Sequence, residues 1–557
     1  MTVSETLGQL FQHWRKPPVP VDSDSDGEGG DVYLPVADLL PPAPASAPAR
    51  SWRRHRHTTA RRRLSKLESM VHADHAEALE PAGVLYATVA IALLGACQFG
   101  WLLSQLNYEP FNSNCAALPV APGDCLLFPP HTETQWTLAV SAWIAGGAVG
   151  AICSGLPADL FGRKKTLLVN AGIAIFGALV QAFATTLGTF AAGRLLSGVA
   201  SGVAINVCEA LISEISPPRM RGTFLTGLQV GVAIGSLAVT SAHYALSEAA
   251  LRWRLLFGFP AVLGGLQLAL AGVMARSPVW LVSHGRLDDA AGELARLYRP
   301  CRVDAIVAAM AAAHREEQAE LAGRPPRALL FSAPYRRQLV IAIVLCAAQQ
   351  LCGTPAIMYY SSTLFARAGI ADPRVGNSVV NAVRTGAILT AAIVVDKWPR
   401  RTLLMGGMAT QAIAAVGLVA SLEAASPVGS IVATAVFIVG FCLSIGPLAW
   451  TVSSEIFPDY MQASAGSVGT MATWIGDLLV GLVYPSLARA DALGNYAFGV
   501  FAVLLAAFVL FVWIVVPETN GHTAVEIQAA FGHADLHAPL DDDEAAADPW
   551  ATELKSL

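Results

Sequence analysis

Gln349-Gln350-Leu351-Cys352-Gly353-Thr354-Pro355-Ala356-Ile357-Met358-Tyr359-Tyr360 interrupts an apolar run that begins near Leu339. Two adjacent amides, a glycine, a proline and two tyrosines stand where contact with lipid would favour Leu and Val. Polar groups at membrane depth are costly, so they face a protein interior or a watery cavity. A proline in mid-span frees a backbone carbonyl and weakens the helix, as happens at transporter binding sites. The competing reading is a packing seam held by glutamine side chains. The rest of the chain reads as a container for this helix.

The 557 residues are 54% hydrophobic and 14% charged, which points to a membrane protein with many spans. A net charge of −5 gives no nucleic-acid signal, because the few basic residues fall in loops and the N-terminal tail. Nine cysteines include no CxxC pair and no cluster at metal spacing, so neither metal nor cofactor is expected. Cys115 and Cys125 share a polar loop and are the one pair offered for a disulfide. No catalytic triad or phosphate loop is present, which argues against an enzyme.

Twelve apolar segments have the ~20 residues that cross a bilayer. They cover 84–107, 135–156, 166–187, 190–213, 222–246, 254–274, 338–362, 376–395, 402–422, 428–452, 464–486 and 494–516. The expected domains are a tail at 1–82, six spans within 83–275, a helical linker at 276–336, six spans within 337–516 and a tail at 517–557. The basic run Arg53 to Lys66 reads as an orientation signal and linker, with anionic-lipid binding as the alternative. In the linker, 285–299 and 303–322 carry apolar residues at helical spacing. They are read as a clamp on an inner gate or as a solvated tether.

Lys and Arg cluster after spans two (Arg163, Lys164, Lys165), four (Arg219, Arg221), six and eight (Lys397, Arg400, Arg401). None occurs from Tyr108 to Trp136. Both termini are therefore expected in the cytoplasm. Asp159-Leu-Phe-Gly-Arg163 is echoed by Asp396-Lys-Trp-Pro-Arg400, an offset of 396 − 159 = 237. Glu214-Ile-Ser-Pro217 is echoed by Glu455-Ile-Phe-Pro458, an offset of 455 − 214 = 241. Two motifs at nearly one offset argue for two homologous six-helix bundles with a site between them.

Several motifs taken in order then resemble the sugar-porter branch of the major facilitator superfamily, most closely its GLUT-type members. They are Phe99-Gly100-Trp101 and Asn107, Gly155-x3-Asp159-x2-Gly162-Arg163-Lys164, Gly193-Arg194, Glu214 to Gly222, Gln349-Gln350-x2-Gly353 with Tyr359-Tyr360, Gly446-Pro447 with Trp450, and Pro517-Glu518-Thr519-Asn520-Gly521. The resemblance implies an all-α fold of twelve transmembrane helices in two six-helix bundles, with cytoplasmic helices between the halves. It implies alternating-access transport of a hexose-like sugar or polyol by a monomer in a lipid bilayer, at the plasma or vacuolar membrane. Gln229, Gln349, Gln350, Asn381 and Trp450 match sugar-contacting positions. Amides both donate to and accept from hydroxyls, and Trp450 and Trp474 offer flat apolar faces to a sugar. Tyr359, Tyr360 and Asp477 complete the candidate site. Asp159 with Arg163, Glu214 with Arg221, and Asp396 with Arg400 and Glu455 correspond to an inner gate, or else to simple charge matching at helix ends.

The chain departs from that pattern at Pro355, where the family has Asn, and at Cys442, where it has an acid. Leu102 stands where proton-coupled relatives have Asp, so facilitated diffusion is expected. Proton symport and a transport-inactive nutrient sensor are the rivals. Arg384 and Asp477 lie roughly 18 and 20 Å above the cytoplasmic ends of spans eight and eleven, at 1.5 Å per residue. Equal depth suggests an ion pair at the cavity wall, or a structural pair locking two helices. The third reading is an unpaired Arg384 that binds an anionic substrate.

Overall fold

Each apolar segment of the sequence becomes a helix, and two of them break in the middle. The computed structural model describes residues 80–531 except 113, 117–118, 121–124, 247–251, 300–302, 322–329, 396, 490, 521, 523–526 and 529. The first half comprises spans one to six: Gly83–Ser104, Glu133–Cys153, Arg163–Ala182, Leu187–Ile215, Pro218–Leu246 and Arg252–Ala269. The second half begins with span seven in two pieces, Arg336–Leu351 and Thr354–Arg367. Spans eight and nine are Pro373–Val394 and Arg400–Glu423. Span ten is again in two pieces, Pro427–Cys442 and Ile445–Glu455, and spans eleven and twelve are Asp459–Leu487 and Ala497–Val515.

Among the described residues, ten helical stretches are long and apolar enough to cross a membrane, with each broken span counted once. Span six has only a short apolar helix, Trp253–Ala269. Span eight carries Arg374, Asn377, Asn381 and Arg384, which lower its apolarity. The expected linker helices form as Leu287–Leu297 and Val303–Leu321, and a third, Pro278–Ser283, precedes them. Ala290, Leu294 and Leu297 pack into the buried cluster of the first half. The Tyr298 hydroxyl donates to the Ile215 carbonyl at 2.6 Å, and the Trp280 indole to the Asp159 carbonyl at 2.7 Å. The linker is thus docked on the first half. The end of the bundle that carries it is called inner below; the opposite end carries the Cys115–Cys125 disulfide, with Cα atoms 4.9 Å apart.

Small residues set the helix spacing. A Cβ on Gly146, Gly150, Gly198 or Gly202 would lie 2.1 Å from a backbone oxygen of the facing helix, so spans two and four touch backbone to backbone. Among lipid tails there is little hydrophobic drive between helices, and such close approach supplies dispersion contact instead. Aromatic packing closes the outer half: Trp101, Trp136, Trp143, Phe190, Trp253 and Phe257 form one cluster, which Tyr359 and Trp474 of the second half enter.

The break in span seven depends on Gly353. Its φ of 98° is left-handed, and Pro355 then opens the second piece, where its missing N–H leaves no donor unpaired. A Cβ on Gly353 would meet the Phe501 ring at 2.5 Å. Gly353→Ala is therefore expected to cost about 1–3 kcal/mol in backbone strain alone, before the clash is counted. The midpoint of thermal unfolding in detergent should fall clearly, and an unchanged midpoint would mean that the break tolerates a side chain.

Candidate functional site

The two broken helices meet at mid-height. Gln349, 5% exposed, donates from Nε2 to the Gly446 carbonyl at 2.5 Å. Gly446 lies in the first turn of the second piece of span ten, just past a break where Ser444 has φ −135° and ψ −105°. Gln349 therefore ties one helix break to the other. That is the glutamine seam the sequence offered as an alternative, now realised by one of the two amides. Gln350 is half-buried and donates to Gln349 Oε1 at 3.3 Å. Its own Oε1 accepts no hydrogen bond among the described residues.

Most of the remaining candidates lie along two seams between the halves, and Trp450 packs within the second half. Along the first, between spans two and eleven, a Cβ on Gly147 would meet the Trp474 ring at 2.2 Å. Phe99 and Trp143 approach the Trp474 ring edge-on at 6.3 and 6.2 Å. The Tyr359 hydroxyl donates to Asp477, at 2.9 and 3.1 Å from its two carboxylate oxygens, and the Tyr360 hydroxyl donates to the Gly481 carbonyl at 3.0 Å. The second seam lies between spans five and eight. Gln229 is exposed there, and Ser236, seven residues on, shares its helix face. Asn381, 4% exposed, donates to the Asn377 carbonyl at 3.0 Å, but its Oδ1 is buried with no partner. Trp450 is half-buried beside span eleven, where a Cβ on Gly469 would come within 3.8 Å of its ring.

Arg384 and Asp477 do not form the expected ion pair. Arg384 reaches Ser236 Oγ at 3.2 Å, on span five, while Asp477 is held by Tyr359 beside span two. Spans eight and eleven lie on different sides of the second half, against spans five and two respectively. Counting residues from a helix end gives a height along one axis and does not choose the neighbour that stands opposite.

Asn107 carries a connection that the sequence showed only as part of a motif. Its Nδ2 donates to the carbonyls of Ile357 and Met358 and to Ser361 Oγ, at 3.3, 2.9 and 2.8 Å. Its Oδ1 accepts from the Ser362 N–H at 2.9 Å, and its carbonyl from Asn377 Nδ2 at 3.0 Å. One residue just past the end of span one thereby binds span seven through its side-chain amide and span eight through its backbone carbonyl. The seam it closes is at the outer end.

At the inner end, Arg163 pairs with Asp159 at 3.0 Å and with Glu214 at 2.9 Å, and Ser277 donates to Glu214 at 2.5 Å. The expected Glu214–Arg221 pair is absent among the described residues, because Arg163 and Ser277 already occupy both carboxylate oxygens. In the second half Arg400 pairs with Glu455 at 3.5 Å, and Thr519 donates to Glu455 at 2.6 Å. Asp396 lies outside the described residues. The sequence reading missed Ser277 and Thr519, although their offset, 519 − 277 = 242, repeats that of the glutamates. Both clusters bind helix ends within one half.

Comparison with known proteins agrees with this architecture. A family profile described as "Sugar (and other) transporter" matches residues 87–531. The human facilitated glucose transporter member 4 of solute carrier family 2 is 31% identical over 472 residues, covering 81% of this chain and 91% of that protein. The plastidic glucose transporter 4 of Arabidopsis thaliana is 30% identical over 454 residues, 80% of each chain. Among solved structures, the xylose transporter of E. coli in its inward-open conformation superposes with a TM-score of 0.66 at 21% identity, covering 80% of this chain and 99% of that one.

Two outcomes test the geometry. In Asn107→Ala, a cysteine introduced by Ser362→Cys, a site now 3% exposed, should be labelled several-fold faster by a membrane-impermeant thiol reagent at the outer end. Equal rates would show that other contacts hold the seam. Asp477→Asn retains a Tyr359 bond and removes a buried charge, so stability in detergent should hold or rise. Tyr359→Phe should lower it by about 1.5–3 kcal/mol, the worth of a hydrogen bond to a charged group; the reverse order of the two would overturn the assignment.

Proposed function

Because the chain belongs to the sugar (and other) transporter family, we propose that it carries a hexose-like sugar or a polyol across its membrane by alternating access. The observation that carries this reading is the junction of the two broken helices of the second half, where Gln350, with Asn381 on the adjoining span eight, offers a side-chain oxygen without a hydrogen-bond partner among the described residues to a hydroxylated ligand. Uncharged amides bind hydroxyls reversibly, and turnover requires release. The arrangement is the inward-facing one. Asn107 binds the halves at the outer end, and the inner charged clusters each stay within one half. In the outward-facing state those clusters would meet across the halves, giving a two-state element that substrate biases. This supports the gate reading for Asp159, Arg163, Glu214, Arg400 and Glu455.

The protein is integral to the membrane; both termini are assigned to the cytoplasm from loop charge, with the protein acting as a monomer in the plasma or vacuolar membrane. Transport is assigned to facilitated diffusion, because buried Leu102 has no titratable group. One observation keeps proton symport as a second reading: Asp477 is a buried carboxylate whose only hydrogen-bond donor among the described residues is Tyr359.

Purified protein in liposomes should equilibrate substrate without concentrating it. Accumulation driven by an inward proton gradient would favour the symport reading. Gln350→Ala and Gln229→Ala should each raise the half-saturation concentration about two- to twelve-fold, the equivalent of one lost hydrogen bond of about 0.5–1.5 kcal/mol. Unchanged values in both would remove these residues from the site.

A further inference from the structure

Arg384 is the charge that the transport of a neutral sugar does not explain. It lies on span eight at mid-height and is 7% exposed. Its hydrogen bond is to Ser236 Oγ at 3.2 Å, and Ser236 in turn donates to the Gly100 carbonyl at 2.9 Å, so its partner is a neutral hydroxyl. No carboxylate lies at ion-pair distance among the described residues. Of the acids away from the helix ends, Asp477 is held by Tyr359, and Glu209, on span four, makes no ion pair with Arg384 among the described residues. From span ten the facing titratable group is the Cys442 thiol, at the position where the resemblance leads one to expect an acid. A guanidinium carries five N–H donors in a planar fork that matches a carboxylate, and most of them are unused here. A buried charge without a partner is costly and marks a functional site by default.

The surroundings place this charge in the same site as the glutamines. Cys442 is the last residue before the break in span ten, and Gly446, on the other side of the break, accepts the Gln349 bond. Asn381 sits three residues before Arg384, on the same helix face, with a buried Oδ1 that has no partner. A cationic fork next to an unpaired amide acceptor is complementary to a carboxylate beside a hydroxyl. On the other side, Ser236 shares its face of span five with the exposed Gln229.

We propose that the substrate class of this transporter is anionic: a polyhydroxy acid, such as an aldonate or uronate, whose carboxylate is met by Arg384 and whose neighbouring hydroxyl is met by Asn381. This rests on the transport reading above and specifies it. A neutral sugar leaves the guanidinium without a counter-charge through the whole cycle, whereas an acid supplies one when it binds. Uniport of such a substrate moves net negative charge, so its uptake responds to membrane potential and that of a neutral sugar does not.

The test is uptake by the full chain in proteoliposomes of D-glucose, myo-inositol, D-glucuronate and D-gluconate, with potential set by potassium and valinomycin. At least one acid is expected to have a half-saturation concentration ten-fold or more below that of glucose, and its uptake should accelerate when the interior is made positive. Arg384→Gln should raise that concentration at least ten-fold more for the acid than for glucose, and Arg384→Lys should restore part of the difference. Transport of glucose or inositol with no acid carried would overturn the proposal and leave the transport reading standing. An equal effect of Arg384→Gln on acid and neutral substrates would reduce Arg384 to a tie between spans five and eight. Should that variant fail to fold, the potential dependence of the unsubstituted protein decides. Uptake of none of the four would overturn the transport reading, and this assignment with it.

Discussion

A single side-chain hydrogen bond, Gln349 to the Gly446 carbonyl, holds together the two places where the helical backbone is interrupted at membrane depth. In a bilayer core every polar backbone group must be satisfied from within the protein, so an interrupted helix survives only where it faces other protein or a wet cavity. The breaks at Gly353 and Ser444 satisfy this jointly. Each lies inside the second half, and the amide from one span engages a backbone carbonyl in the first turn after the break in the other. The result is a junction with polar groups beside it and apolar residues around it. Gln350, the next residue along, stays partly open because its neighbour has taken the structural task.

The two halves are joined unequally along their length. From mid-height outward they share Asn107 and its five partners, the aromatic cluster that receives Tyr359 and Trp474, and the contact of Arg384 with Ser236. At the inner end each half instead has its own charged knot, Arg163 with Glu214 and Ser277, and Arg400 with Glu455 and Thr519. The knots obey the same chemistry at nearly the same spacing, a carboxylate held by one guanidinium and one hydroxyl. Such partly exposed ion pairs exchange partners at little cost, which suits groups that must regroup when the halves rock. Asn107 is a different kind of contact, buried and fully hydrogen-bonded, and it defines which end is shut.

The sequence by itself determined the twelve spans, the division into halves, the linker helices and the broken character of span seven. These are local properties. Apolar length, helical periodicity and the Gly353–Pro355 spacing are written in consecutive residues, and the repeat is visible as two motifs at one offset. It also singled out Gln349 and Gln350, because adjacent amides in an apolar run call for polar partners. The break in span ten was not read, although Pro447 of the Gly446-Pro447 pair stands in the first turn after it, as Pro355 does in span seven.

Only the tertiary structure decided who meets whom. A position along a helix fixes height and facing angle about that helix's own axis and says nothing about which neighbour stands opposite Arg384 or Asp477. Packing put span eight against span five and span eleven against span two, and so gave Arg384 a serine and Asp477 a tyrosine. The same limit hid Ser277 and Thr519 as partners of the glutamates and made Glu214 a partner of Arg163 rather than Arg221. Those pairings join residues far apart in the chain, and their geometry exists only once the helices have packed: within one half for the glutamates and Asp477, and across the two halves for Arg384 and Ser236.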